Sequence, residues 1–506
     1  MAGVLIGVDA GTTNIKTVAF SPTGDELARA SRENEVRTDD GRTEQDMATT
    51  WERTAETIRE VARSPSVTDE ILGVGVTGQG DGCWLVDGDG NPARDAILWN
   101  DNRAAGIVEE WAETGVADRI FDICGNGLFA GASLPILRWL RDHEPETLER
   151  AETVLFCKDW IKYRLTGELT TDLSDASLPY LDVRAGTYTD ELSDLAGVPG
   201  VEDLLPRLEP ATNVVGTVTD AASARTDLPV GTPVISGVID IVASAVGSGA
   251  ARPEASSSVV GTTALNQTIL ESVPDLDEPV GFTLAITEDR YTRAMASMAG
   301  TPNLDWVRTE IAETDDFDVI EREARSVPAG ADGLLYHPYL SSSGERSPFI
   351  DSAARAQFSG LDPSHTRAHL LRAVYEGVAL AMRDCYEHLP TEADRVAVSG
   401  GGASSEFWCQ LFADCLDTTV AVPEGSELGA RGIALLAGVA LDEFADVEAG
   451  LDAMTGIDRS YEPRPAYAER YDQWYEVYRT TYEAMFDAWT KRAAVVDGAN
   501  GGEDDR

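Results

Sequence analysis

The first strong pattern in the chain is a run of apolar residues from Val4 to Val8, which is typical of a buried β-strand. The turn Asp9-Ala10-Gly11-Thr12-Thr13 follows it, and a second strand pattern runs from Lys16 to Phe20 and ends in a Pro-Thr-Gly turn. These patterns predict a β-hairpin wrapped around a Gly-Thr-Thr loop.

Helix and strand patterns alternate after this hairpin. We predict helices at about Met47 to Ala62 and Ala104 to Glu113, and a strand at Ile71 to Val76 between them. Alternation of this kind is typical of the α/β class, which we therefore predict.

A similar pattern returns in the second half of the chain. Strand residues 257–260 lead into Gly261-Thr262-Thr263, and a strand at Arg395 to Val398 leads into three glycines before a helix. The small-residue segment Gly237 to Gly249 favours a boundary near residue 250. We predict two lobes, residues 1–248 and 249–495, and an acidic, frayed tail over residues 496–506.

Charge changes this picture, because 88 acidic residues against 40 basic ones give a net charge of −48. The acids are spread along a chain that is 43% hydrophobic, so a folded protein with an acidic surface is predicted. Nucleic acid and anionic membranes would be repelled and are not expected as partners. High salt screens such self-repulsion, since the Debye length is about 3 Å at 1 M, and this predicts a salt-adapted source.

Targeting and metal-binding patterns are weak. The N-terminus enters a strand with no basic region or cleavage site, and no apolar run has bilayer length, so a cytoplasmic protein is expected. The six cysteines lack metal-ligand spacing and are predicted to be reduced and buried. The five histidines lack zinc spacing, and we assign no transition metal.

Two Gly-Thr-Thr loops are candidate phosphate sites. Glycine lets backbone N–H groups approach oxygen closely, and threonine hydroxyls add donors without charge. One such loop is usually an ordinary turn. The pair, residues 11–13 and 261–263, favours phosphate binding because each follows a strand pattern in a different half of the chain.

Asp9 and Lys16 flank the first of these loops. A carboxylate at the end of a buried strand needs a cationic partner, and Mg²⁺ held through water would suit a nucleotide site. Lys16 is one of only four lysines in a chain that otherwise uses Arg, the others being Lys158, Lys162 and Lys491. It would either pair with Asp9 or serve as a point charge for phosphate, and the sequence leaves both open.

Asp240 lies in the apolar segment Gly-Val-Ile-Asp-Ile-Val. Such a setting should raise the pKa of the carboxyl, as suits a general base. The alternative is that Asp240 caps the small-residue helix that follows.

Two segments combine groups that bind sugars. Gln79 and Asp81 lie in a glycine-flanked loop that would suit neighbouring hydroxyls, although such a loop is often only a turn. Residues 98–103 supply an aromatic face and polar groups in Trp99, Asn100, Asp101 and Arg103, and a helix N-cap at Asp101 is the competing explanation.

Two further segments are candidates. Lys158 and Lys162 share one face of a predicted helix; Lys158 and Asp159 would enter the substrate site, and Lys162 would be solvated. The loop at 400–405 would let a flat ring or ribose lie on Gly401 and Gly402 near a helix N-terminus, with close strand–helix packing as the alternative.

Taken together, these segments resemble the FGGY family of carbohydrate kinases, in order, from Val4 to about Ala440. The pieces that carry the resemblance are residues 7–16, 75–82, 98–103 and 158–160 in the first half, and 261–263, 343–349, 360–376, 399–402 and 428–435 in the second.

The resemblance implies two RNase H-like lobes of the actin and hexokinase type with ATP and Mg²⁺ in a central cleft, which closes over substrate. It implies Asp240 as catalytic base and Asp9 as the residue that organises Mg²⁺. The implied contacts of ATP are Gly11, Thr12, Thr13 and Lys16 in one lobe, and Gly261, Thr262, Thr263, Gly401, Gly402 and Ser405 in the other. Ser405 replaces the asparagine of glycerol kinases.

The substrate implied is a ketopentose such as L-xylulose, since the loops look most like the L-xylulose and 3-keto-L-gulonate kinase branch. Gly80-Asp81 departs from the Arg-Glu pair of glycerol kinases and the Met-His pair of D-xylulose kinases. Erythritol, glycerol or D-xylulose kinase is the alternative within the family. A non-catalytic sugar or nucleotide sensor, or an actin-like ATPase, is the alternative outside it. A homodimer stays open.

Overall fold

The computed structural model describes residues 3–500 except 277, 288, 313 and 315, and it describes no side chain in 497–500. The chain packs as two compact units. The first comprises the chain up to Pro253 together with Ile269–Thr292 and Glu424–Gly456. The second comprises Glu254–Thr268, Arg293–Pro423 and the chain from Ile457 onward.

The described residues form 24 strands and 18 α-helices. The strands are β1 Val4–Ala10, β2 Asn14–Phe20, β3 Glu26–Glu33, β4 Arg37–Asp39, β5 Arg42–Gln45, β6 Ile71–Gly78, β7 Trp84–Asp87, β8 Ala96–Ile97, β9 Ala151–Leu155, β10 Thr170–Asp172, β11 Leu181–Asp182, β12 Thr187–Tyr188, β13 Arg207–Glu209, β14 Val214–Thr217, β15 Pro233–Ile235, β16 Ser256–Val260, β17 Ala264–Leu270, β18 Phe282–Thr287, β19 Arg290–Ser297, β20 Leu335–His337, β21 Gln357–Ser359, β22 Arg395–Ser399, β23 Thr419–Pro423 and β24 Ile457–Tyr461. The helices are α1 Met47–Ala62, α2 Ala105–Thr114, α3 Val116–Cys124, α4 Ser133–His143, α5 Pro145–Arg150, α6 Cys157–Thr166, α7 Leu173–Ala176, α8 Asp190–Leu195, α9 Asp220–Thr226, α10 Asp240–Gly247, α11 Pro302–Val307, α12 Phe317–Arg325, α13 Arg367–Glu387, α14 Glu406–Leu416, α15 Leu428–Ala440, α16 Val447–Met454, α17 Pro465–Glu483 and α18 Phe486–Asn500.

The first unit is built on a six-stranded sheet of order β14-β15-β6-β1-β2-β3. Strand β1 runs antiparallel to β2 and parallel to β6, so that Asp9 pairs with Lys16 on one side and with Thr77 on the other. Side chains alternate across the sheet. Ile6 and Val8 join the core that contains α1, and Leu5 joins the core that contains α10 and α15.

Helix α15 packs closely on β1 because residue 7 is a glycine. A Cβ at Gly7 would lie 1.9 Å from the carbonyl oxygen of Ala430, so a side chain there would push the helix away. This contact brings the late segment Glu424–Gly456 against the first strand of the chain.

The second unit contains a mixed sheet in which β16 pairs antiparallel with β17 and parallel with β22. Strand β22 continues parallel to β23, which is antiparallel to β24. The 21-residue helix α13 crosses the core beside α14 and α17, with Val374, Trp408 and Tyr478 buried. Each unit therefore combines a mixed sheet with helices, as the α/β prediction required.

Several predicted elements are confirmed. The hairpin forms around the Gly-Thr-Thr loop, and α1 has the predicted bounds. The two units do not coincide with residues 1–248 and 249–495, because Ile269–Thr292 and Glu424–Gly456 pack into the first unit. The backbone of α18 stays helical to Asn500, so the tail predicted to fray from residue 496 begins as helix; residues 501–506 lie outside the described residues. Within the described part, no helix has the length and apolar character of a membrane span.

Candidate active site

The first Gly-Thr-Thr loop is tied to the predicted sugar-binding segments by hydrogen bonds. The Thr12 hydroxyl donates to Gln79 Oε1 (2.9 Å) and accepts from Trp99 Nε1 (3.0 Å). Gln45 completes the network, since its Nε2 donates to the Thr12 carbonyl (3.0 Å) and its Oε1 accepts from Gln79 Nε2 (2.9 Å). Gln45 was missed by the sequence reasoning, although a glutamine that closes an alternating strand just before a helix cap is a weak local signal.

Asp9 lies at the end of β1, where burial is the main cause that raises the pKa of its carboxyl to about 6. The nearby Lys16 ammonium lowers this pKa, and Glu427 raises it. Lys16 forms its ion pair with Glu427, at 2.8 Å between Nζ and Oε2. A Cβ at Gly429 would lie 2.5 Å from Asp9 Oδ2, so the first turn of α15 leaves room for this carboxylate only because Gly429 has no side chain.

Asp240 is the first residue of α10, and Ile239 is the N-cap, so the alternative explanation, that Asp240 caps the helix, is wrong. Burial raises the pKa of the Asp240 carboxyl to about 7, repulsion by Asp9 adds to the rise, and a bond from the Ile241 N–H opposes it. A carboxyl with a pKa near neutrality can accept a proton at working pH, as a general base must.

Asp81 stands in the loop after β6 with a φ of 55°, a left-handed conformation that is strained for a residue with a Cβ. Its side chain is buried, and its Oδ1 has no hydrogen-bond partner among the described residues. Burial raises the pKa of this carboxyl well above its ordinary value, and repulsion by Asp175 and Asp240 adds to the rise. The unpaired oxygen leaves an acceptor position that a hydroxyl donor would fill.

Asp101 and Arg103 are engaged with each other. Asp101 accepts from the Thr43 N–H (2.6 Å) and from Arg103 Nε (2.8 Å), and Arg103 also donates to Glu44 at 2.7 Å. Helix α2 begins at Ala105 with no side-chain cap, so the helix-cap explanation for Asp101 is wrong. Asn100, in contrast, is exposed.

Lys158 and Lys162 lie on α6 with fully buried side chains, so the prediction that Lys162 is solvated is wrong. Lys158 Nζ lies 2.6 Å from Asp159, 2.7 Å from Asp172 and 2.7 Å from Asp175. Lys162 Nζ lies 3.0 Å from Asp159. The helical spacing of Lys158 and Lys162 predicts that they share one face of α6, but it does not predict that this face is buried.

The second unit carries the other predicted nucleotide loops. The Gly261 N–H donates to the Thr263 carbonyl (2.9 Å), and Thr262 is exposed at the tip of the loop. Beyond β22, Gly401 and Gly402 open a 3-10 turn, Gly401–Ser404. Ser405 is the N-cap of α14, and its hydroxyl accepts from the Trp408 N–H (3.0 Å) and donates to Glu321. A nucleotide that bound this hydroxyl would have to share it with these two partners.

Among the described residues, no group of three or more His, Cys, Asp or Glu side chains is arranged to hold a metal ion. All six cysteines are buried and unpaired, as predicted. Burial raises the pKa of Cys83 and Cys124 to about 12, which keeps them as thiols.

Comparison with known proteins identifies the family of the chain. The N-terminal domain model of the FGGY family of carbohydrate kinases matches residues 4–247, and the C-terminal domain model matches residues 256–441. The chain is 32% identical to erythritol kinase of Brucella abortus (strain 2308), over 97% of this chain and 98% of that protein. It is 30% identical to a probable L-xylulose kinase of Pasteurella multocida (strain Pm70), over 95% of this chain and 98% of that protein.

A solved structure extends the likeness to the fold. Ligand-bound xylulose kinase from Lactobacillus acidophilus superposes with a TM-score of 0.91 at 25% identity, covering 97% of this chain and 99% of that one. This confirms the predicted two-lobed α/β fold of the actin and hexokinase type. The chain therefore belongs to the FGGY family of carbohydrate kinases and is a sugar phosphotransferase.

Proposed function

We propose that this protein transfers the γ-phosphoryl group of ATP to a hydroxyl of a small sugar, with Asp240 as the general base. The observation that carries the proposal is the position of Asp240, which lies close enough to Asp9 and to Asp81 for electrostatic repulsion with each. Asp240, with a pKa of about 7, interacts with the charge of Asp81, whose Oδ1 has no hydrogen-bond partner among the described residues.

ATP with Mg²⁺ is the cofactor that we propose, in keeping with the family. Asp9 fits a cation, because its half-buried carboxylate is repelled by Asp240 and has the bare backbone of Gly429 beside it. In the first unit the proposed contacts are Gly11, Thr12, Thr13 and Lys16, and in the second Gly261, Thr262, Thr263, Gly401, Gly402 and Ser405. When bound, Mg²⁺-ATP supplies the phosphoryl group and positive charge that offsets its oxygens.

The residues of the chain would then act on the sugar. Asp240 accepts the proton of the attacking hydroxyl, which makes that oxygen a better nucleophile. Asp81 accepts a hydrogen bond from a second hydroxyl through its unpaired Oδ1. The Thr12–Gln79–Trp99 network orients the aromatic edge and the amide that the sugar would meet.

A ketopentose such as L-xylulose is the substrate we propose, since Gly80-Asp81 departs from the pairs of glycerol and D-xylulose kinases. Erythritol is the second candidate, because the erythritol kinase relative is as similar to this chain as the probable L-xylulose kinase. The two differ by a carbonyl and by one carbon in chain length, so turnover on a panel that contains both separates them. The cytoplasmic location, the salt-adapted source and the homodimer stay predictions.

The test is ADP release in molar KCl with Mg²⁺-ATP and a panel of L-xylulose, D-xylulose, L-ribulose, 3-keto-L-gulonate, erythritol and glycerol. We expect turnover on L-xylulose that Asp240→Ala lowers at least about 10³-fold while ATP binding persists. Asp220→Ala, at the exposed first residue of α9, is the matched control and should keep full activity. Sugar-independent hydrolysis or no turnover in folded protein would contradict the kinase function, and preference for erythritol would replace the ketose.

A further inference from the structure

A cluster of five ionisable side chains joins helix α6 to β10 and α7. It comprises two lysines and three aspartates, all with 0% side-chain exposure: Lys158, Lys162, Asp159, Asp172 and Asp175. Burial raises the pKa of the Asp175 carboxyl well above its ordinary value. Removing charges from water costs several kcal/mol per ion unless geometry and hydrogen bonds compensate it. A chain that uses only four lysines places two of them here.

The cluster reaches the backbone that immediately precedes Asp240. Lys162 Nζ donates to the carbonyl of Ser236 (2.8 Å). The Ser174 hydroxyl accepts from the Ile239 N–H (3.0 Å) and donates to Asp172 Oδ2, which belongs to the cluster. A third buried contact comes from β6, where the Thr77 hydroxyl donates to the Val238 carbonyl (2.7 Å).

We propose that the cluster positions the general base: it locks residues 236–239 and thereby sets where the Asp240 carboxylate stands. Lys162 and Ser174 are positioning residues in this assignment, and Lys158 holds the three aspartates together instead of contacting the sugar. The proposal rests on the proposed function, which makes Asp240 the base.

The chemistry of lysine suits this arrangement. An ammonium is a compact charge with three donors, so Lys162 can satisfy Asp159 and the Ser236 carbonyl at once. The planar guanidinium of arginine is larger and has fixed donor directions, which explains why an Arg-rich chain keeps lysine here. Rigid support of this kind matters because a shift of about 1 Å in a reacting group can lower the rate about 10²-fold.

Two neighbouring serines allow a matched test. Ser174 and Ser177 are both fully buried, and each hydroxyl has one acceptor and one donor partner. The Ser177 hydroxyl donates to the Leu173 carbonyl and accepts from the Ala285 N–H, so these hydrogen bonds do not involve residues 236–239. Asp172 keeps the bond from the Ser174 N–H (2.7 Å) when the hydroxyl is removed, so Ser174→Ala should fold.

We expect Ser174→Ala to lower kcat about 10- to 100-fold, with KM for sugar and for ATP changed less than about 3-fold. Ser177→Ala should keep kcat within about 3-fold. Equal losses in both variants, or wild-type kcat in Ser174→Ala, would overturn the proposal.

The same substitution in an Asp240→Asn background shows whether Ser174 acts through Asp240. With the base removed, adding Ser174→Ala should change the residual kcat less than about 3-fold, because the two residues act as a unit. A further loss of kcat of about 10- to 100-fold would mean that Ser174 acts on a group other than Asp240.

Hydrogen exchange separates a failure of this proposal from a failure of the proposed function. The amide of Ile239 should exchange at least about 10-fold faster in Ser174→Ala than in wild type, and at the wild-type rate in Ser177→Ala. Unchanged exchange in Ser174→Ala would refute the lock. Wild-type turnover in Asp240→Asn would instead refute Asp240 as the base, whatever the exchange result.

Discussion

Asp240→Asn should make the ligand-free protein more stable at pH 8 while it removes turnover. Burial and the nearby Asp9 raise the pKa of Asp240 from 3.8 to about 7, so the ionised carboxylate is disfavoured in the folded state. One pKa unit corresponds to about 1.4 kcal/mol, which gives a penalty of about 4 kcal/mol at pH 8. Asp240 is partly exposed and its charge favours the start of α10, so we expect a net gain of about 2–3 kcal/mol.

The pH dependence has a definite sign. Between about pH 4 and pH 7 the folded state keeps a proton that the unfolded state has released, so the free energy of unfolding of the wild type falls as pH rises through this window. The advantage of Asp240→Asn should therefore shrink to about 1 kcal/mol at pH 5.

Urea unfolding in molar KCl at pH 8 and pH 5, without sugar or nucleotide, measures both differences. Asp220→Asn makes the same chemical change at the exposed first residue of α9 and should alter stability by less than about 0.5 kcal/mol at either pH. Two results would refute this reasoning. One is an Asp240→Asn variant that is no more stable than wild type at pH 8, and the other is a stability gain at pH 5 as large as the gain at pH 8.

Three further outcomes are expected. With a net charge of −48, the melting temperature should rise steeply between 0.1 and 2 M KCl, as thermal melts would show; a flat response would mean that the surface charges are already compensated. Gly429→Ala should lower kcat at least about 10-fold, because the new Cβ would lie 2.5 Å from Asp9 Oδ2. The control is Gly106→Ala, whose Cβ would meet nothing within 4 Å and which should leave kcat unchanged. Equal kcat values in the two variants would disprove the steric cause. Glu345→Ala should cost about 3 kcal/mol in urea unfolding, since the N–H groups of Met298 and Arg346 lose their acceptor, whereas Glu345→Gln keeps one oxygen and should cost less than half as much.

Local elements of the fold could be predicted because their signals lie within a few residues. The bounds of α1 were predicted correctly, since Asp46 accepts from the Thr49 N–H at its start and an apolar face follows. The packing of α15 on β1 could not be predicted, because it joins residues more than 400 positions apart and depends on Gly7 lacking a Cβ. No local pattern encodes such a contact.

The candidate site shows the same division. Asp9, Gln79, Asp81 and Asp240 were recognised as candidates because carboxylates and amides in apolar or glycine-rich segments are locally unusual. The burial of Lys158 and Lys162 was not recognised, since Asp172 and Asp175, which lie beyond their helix, join Asp159 in pairing with this helix face. Partners supplied by distant elements determine the role of a charged residue.

The lysine distribution makes amine chemistry a probe of this protein. Side-chain exposure is 79% for Lys491 and 39% for Lys16, and it is zero for Lys158 and Lys162. An amine-reactive label added to the native protein will therefore mark Lys491 first among the side chains, which gives a nearly site-specific attachment point on α18. Labelling of Lys158 or Lys162 requires that the interior of the first unit open, so peptide mapping of those two positions reads out unfolding directly.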